Sequence, residues 1–174
     1  IGDVQVSGFT EYNGERFMLE GEGVDINGTS DSFHFAYAKY SGQGTITARI
    51  VRPMSSQWTK PGVMMRESLD ADSRHASVLL LPHWSGALVT RTETGGETTT
   101  HGARHLGEAH IIKKNRLSTP YWVRLIRFRN QFTGYMSPDG VQWQQLGSVE
   151  IPMSSTFYVG LPACSQLDKV TTTV

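Results

Sequence analysis

The chain has 174 residues, with 16 basic and 16 acidic side chains and a formal net charge of zero. That balance argues against attachment to nucleic acid by phosphate neutralisation and against a charge-driven membrane contact, and no run approaches the ~18 apolar residues of a spanning helix. The length suits one domain with a full core, and 18 glycines among many Thr, Val and Tyr favour strands and turns over helices.

In chain order, short strand patterns fall at residues 4–6 and 16–21, followed by a polar turn over 25–31. Residues 33–40 alternate, with Phe33, Phe35, Tyr37 and Lys39 on one face and His34, Ala36, Ala38 and Tyr40 on the other. Residues 45–50 alternate again, with Ile46, Ala48 and Ile50 inward. Strands are predicted at 62–67, at 75–81 before Pro82, and at 87–92 before Gly95-Gly96. Only residues 68–74 suggest a short helical turn. Residues 101–119, rich in His, Lys and Arg, read as a long surface loop. The longest late strand spans 121–128, setting Trp122, Arg124, Ile126 and Phe128 against Tyr121, Val123, Leu125 and Arg127.

The block 132–143 then reads as a hairpin. Phe132, Gly134 and Met136 alternate with Thr133 and Tyr135, and Asp139-Gly140 supplies the positive-φ residues of a turn before Trp143 resumes the strand. Trp122 and Trp143 lie in strand patterns and are expected to pack inside. Strands at 156–161 and 170–174 close the chain. About a dozen short strands at this spacing predict an all-β antiparallel jelly-roll sandwich. The single cysteine, Cys164, permits no intrachain disulfide and is expected to be a small buried hydrophobe.

The patterns for chemistry are sparse. Glu20, Glu22 and Asp25 lie close together, but two glycines interrupt the run and the order differs from the acid pair of sandwich-fold glucanases. The six histidines form no HExxH motif, and no Gly-x-Ser-x-Gly elbow exists. Asp25, Asn27, Thr29 and Asp31 place oxygens at alternate positions, so a structural calcium held by Asp25 and Asp31 is the one cofactor the pattern admits.

The strands, the hairpin block and the run 63–69 (Val-Met-Met-Arg-Glu-Ser-Leu) together resemble the concanavalin A-like jelly-roll modules of the DUF1349 type. The matching features extend nearly end to end: residues 31–35, 42–49, 62–69, 73–76, 120–125, 132–143 and 157–161. Two departures stand out. Asn27 replaces the family's usual Trp in the Asp25-Ile26-Asn27-Gly28 turn, and the segment 98–119 is longer than usual.

The resemblance implies a module appended to a secreted or cell-surface bacterial protein, excised here over 1–174. Its expected partners are an oligo- or polysaccharide and covalently linked catalytic or surface domains, without nucleic acid or membrane, as a monomer. A sugar site wants an exposed aromatic and side chains able to make paired hydrogen bonds. Trp58 and Trp84, in polar loops, are the expected stacking platforms. Arg66, His75 and Arg91, at corresponding ends of neighbouring strands, are the expected polar partners. Adjacent residues on a regular strand face opposite ways, so Glu67 cannot share a site with Arg66 unless a bulge intervenes. The expected function is therefore a non-catalytic carbohydrate-binding module. A structural or protein-interaction domain, and a glycoside hydrolase or lyase of the same fold using Glu20 or Glu22, stand as alternatives.

Overall fold

The computed structural model describes residues 1–51, 60–81, 85–105, 111–112, 116–117, 120–164 and 172–173. Among them there are strands and no helix. The larger sheet has six strands in the order β3 (His34–Ser41), β14 (Thr156–Ala163), β5 (Gly62–Arg66), β6 (His75–Leu81), β7 (Ser85–Arg91) and β8 (Thr99–His105). The smaller has four, in the order β13 (Gln144–Glu150), β12 (Gln131–Ser137), β11 (Tyr121–Phe128) and β4 (Gly44–Ile50). Every pairing in both sheets is antiparallel. Strands β3 and β4 follow each other across a tight turn at Gly42 yet belong to different sheets, so the chain changes layer there.

The two-residue alternation decides which side chains meet between the layers. Val63, Met65, Ala76, Val78, Leu80 and Leu88 of the larger sheet pack on Val123, Leu125, Phe132, Met136 and Leu146 of the smaller. Gly134 is required for that closeness: a Cβ there would lie 2.9 Å from Val78 Cγ2 and 3.1 Å from Leu88 Cβ. Arg127 also lies on the buried face of β11. Its Nη2 donates to Met153 O at 2.8 Å, and its guanidinium lies 4.4 Å from the Phe157 ring centroid.

A second core covers the outer face of the larger sheet. Ile26, Phe33, Phe35 and Cys164 pack on Met64, Leu79, Ala87 and Val89. The N-terminal segment is drawn across by the ammonium of Ile1 donating to Phe33 O at 2.9 Å. Strands β5 and β6 are therefore buried on both sides, which explains their near-continuous apolar runs. Cys164 is buried, with its Sγ 3.2 Å from Gly23 O. Two small antiparallel additions complete the described chain. One joins β1 (Phe9–Tyr12), β2 (Phe17–Gly21) and β15 (Thr172–Thr173); the other joins β9 (Ile111–Ile112) and β10 (Arg116–Leu117).

Four expectations are corrected. Residues 4–6 form no strand. Residues 68–74 form turns rather than a helical turn, because Ser73 Oγ accepts from Ser68 N at 2.9 Å and competes with helical pairing. The segment 101–119, expected to loop out, begins instead within β8, the edge strand of the larger sheet. Trp122 and Trp143 do not enter the core, because they occupy the face opposite Val123 and Leu125.

Candidate functional site

The pairing of β5, β6 and β7 places Arg66, His75 and Arg91 directly beside one another. They come together as the strand ends suggested, but none has exposed surface. Asp31, brought in by the polar turn, occupies the space in front of them. Arg91 grips it with Nη1 at 2.9 Å from Oδ2 and Nη2 at 2.7 Å from Oδ1, while Arg66 Nη1 lies 3.3 Å from Oδ2. The remaining donors of Arg91 go to carbonyls of Gly28, Ala71, Ser73 and Gly96, tying three loops to one guanidinium. Arg66 Nε donates to Ser68 O at 2.7 Å.

His75 shares this cluster as a neutral imidazole. Burial, and then the charges of Arg66 and Arg91, hold its pKa well below the ordinary 6.5. Its Nδ1 is 3.0 Å from Ser77 Oγ, and its Nε2, 3.9 Å from Asp31 Oδ2, is too distant for a hydrogen bond. The expectation that Arg66, His75 and Arg91 meet a ligand is thus corrected: they hold Asp31 and the surrounding loops. Glu67 faces away, 3.7 Å from Arg74.

The calcium reading of Asp25 and Asp31 is corrected on the same grounds. Both oxygens of Asp31 are taken by guanidinium groups, and Asp25 Oδ1 is paired with the Lys60 ammonium. Among the described residues no group of three His, Cys, Asp or Glu side chains converges as a metal site. Of the two acids weighed for catalysis, Glu22 is buried and accepts from Val6 N, while Glu20 lies in β2 opposite Phe9. Trp58 and Trp84 lie outside the described residues.

The outer face of the smaller sheet carries what the covered face lacks. Pairing sets Arg49 opposite Trp122, and Arg124 between Thr47 and Tyr135. The guanidinium of Arg124 lies 3.7 Å from the ring centroid of Trp143, and that of Arg49 lies 5.9 Å from Trp122. Arg124 Nε donates to Thr47 Oγ1 at 3.0 Å. Trp122, Arg124, Tyr135 and Trp143 are half-buried, and Arg49 is exposed.

The turn between β12 and β13 fixes this arrangement. Asp139 Oδ1 accepts from Val141 N and Gln142 N, each at 2.8 Å, and these bonds lower its pKa. Gly140 has φ +77° and lies over Trp122, where a Cβ would stand 2.9 Å from the indole. Trp143 Nε1 donates to Gly140 O at 3.0 Å. The result is one face that carries two indoles, each with a guanidinium over its ring. The signal in the sequence is Arg124 two residues after Trp122: they share a face, and that face excludes Val123 and Leu125.

No family model matches the chain, and no curated protein matches its sequence. Solved structures do match its fold. A functionally unknown protein from Saccharomyces cerevisiae superposes with a TM-score of 0.71 at 15% identity, over 99% of this chain and 89% of that one. The carbohydrate-binding module CBM66 from Bacillus subtilis matches with a TM-score of 0.57 at 16% identity, over 97% and 88%. The GH43 protein BlXynB from Bacillus licheniformis, as the K247S mutant, matches with a TM-score of 0.57 at 14% identity, over 90% of this chain but only 31% of its own. The chain folds as an antiparallel jelly-roll β-sandwich.

Proposed function

We propose that the protein is a non-catalytic carbohydrate-binding module, of the DUF1349 type, of a secreted or cell-surface protein, and that it binds through the outer face of its smaller sheet. The observation that carries this reading is the pair of indoles, Trp122 on β11 and Trp143 just before β13, each fixed with a guanidinium over its ring. Pyranose rings present flat apolar faces ringed by hydroxyls, and a fixed aromatic with adjacent planar donors answers both. The likeness to a carbohydrate-binding module over nearly the whole of both chains supports the same reading. The match to about a third of a GH43 protein supports a role as one module of a longer chain, where attachment raises the local concentration of a linked domain on a polysaccharide.

The test is affinity electrophoresis against a polysaccharide panel. The protein is expected to be retarded by at least one member, and Trp122→Ala or Trp143→Ala to weaken that binding at least about tenfold, a change of ~1.4 kcal/mol. Trp58→Ala and Trp84→Ala enter the same assay as the competing platforms. No retardation by any member would favour an interaction domain instead. Turnover of a panel member, abolished by Glu20→Gln or Glu22→Gln, would favour the hydrolase.

A further inference from the structure

Resting on that reading of the same face, we infer that the glycan is acidic, carrying carboxylate or sulfate groups that Arg49 and Arg124 bind. Four described cations of this protein sit against a carboxylate of a described residue. Arg66 and Arg91 share Asp31, Arg74 lies beside Glu67, and Lys60 pairs with Asp25. Arg49 and Arg124 have no ion-pair partner among the described residues. They nevertheless stand together: Arg49 is opposite Trp122, and Arg124 is two residues farther along β11, a diagonal pair of positions roughly 7–8 Å apart.

Both are restrained rather than free. Each guanidinium lies over an indole, and Arg124 is also tied through Nε to Thr47, which leaves its two Nη groups with no protein acceptor among the described residues. A guanidinium offers donors only, in a planar fork that fits a carboxylate or sulfate. Neutral hydroxyls would ask for acceptors as well, and on this face Thr47 already accepts from Arg124 and Thr133 pairs with Ser148 at 2.9 Å, beside the phenol of Tyr135. Neither acid of this region forms an ion pair with Arg49 or Arg124. Asp139 spends one oxygen on its own turn, and Glu150 lies at the far end of β13 opposite Gln131. Within a chain of zero net charge, two guanidinium groups without an ion pair among the described residues thus share one face.

The experiment compares matched polymers: a sulfated polysaccharide with its desulfated form, and a polyuronate with its carboxyl-reduced form, with single-stranded DNA as a polyanion lacking pyranose rings. At least one acidic member is expected to bind about tenfold or more tightly than its neutral counterpart and than the DNA, and the two pairs tell sulfate from carboxylate. The double variant Arg49→Gln/Arg124→Gln is expected to erase that difference, Arg124→Lys to restore it only in part, and Lys39→Ala, on the other sheet, to change nothing. Equal binding of acidic and neutral members would overturn the inference while leaving the glycan reading standing. Binding of DNA as tight as of the acidic glycan, or an undiminished preference in the double variant, would also overturn it. Failure to bind any glycan would remove both.

Discussion

The two outer faces of this sandwich carry the same kinds of side chain and meet opposite fates. On the larger sheet, Arg66 lies 5.3 Å from the ring of Phe33; on the smaller, Arg124 lies 3.7 Å from that of Trp143. The difference comes from a segment remote in sequence. The N-terminal stretch folds over the larger sheet, buries its arginines, and supplies Asp31 to neutralise them. On the smaller sheet, Arg49 and Arg124 keep their charge at the surface. A stacked arginine is thus a structural staple where a carboxylate reaches it under cover, and a recognition group where none does.

That contrast can be broken most forcefully at Asp31. Asp31→Asn leaves two buried guanidinium groups without their counter-charge and is expected to cost about 3–5 kcal/mol of stability, read from urea unfolding. A loss below ~1 kcal/mol would mean that the cluster does not hold the covering segment in place.

A smaller effect is expected from acid. The pKa of His75 in the folded protein is held below the ordinary 6.5 of an unfolded imidazole. Between those values the unfolded chain takes up a proton that the folded chain refuses, so stability falls as pH drops below about 6.5, by up to roughly 1.4 kcal/mol per pH unit. In His75→Gln that slope should flatten. Parallel pH profiles for the two proteins would contradict the neutral buried imidazole.

Smaller again is the open face. Arg124→Gln removes one exposed cation–π contact and should cost no more than about 1 kcal/mol of stability, while weakening glycan binding. A stability loss matching that of Asp31→Asn would show the two faces to be alike. Calcium marks the zero of the scale. Because Asp25 and Asp31 already face cations, adding the ion should leave the melting temperature unchanged, and a clear rise would restore the metal site.

The sandwich was legible because its cause is local. Alternation in 45–50, 121–128 and 132–136 states which side chains share a face, and the structure keeps those assignments at Ile46, Val123 and Phe132. Even the grouping of Arg66, His75 and Arg91 could be anticipated from neighbouring strand ends. Their burial could not, because it depends on Asp31, 35 residues from Arg66 and 60 from Arg91. Trp122 and Trp143 depart from the core positions their sequence suggests for the converse reason. A large apolar ring suggests a core position, but the β11 alternation had already given the core to Val123 and Leu125. Their true setting depends on the Asp139 turn folding back so that Trp143 meets Arg124.

The most direct test of the binding face is an NMR titration of the four tryptophan indole N–H signals, each assigned by single substitution, with an oligosaccharide of the polymer that retards the protein. The account predicts that Trp122 and Trp143 shift together and saturably, and that Arg49→Gln/Arg124→Gln weakens the binding those shifts report. Saturable shifts confined to Trp58 and Trp84 would contradict it and move the site to the loops.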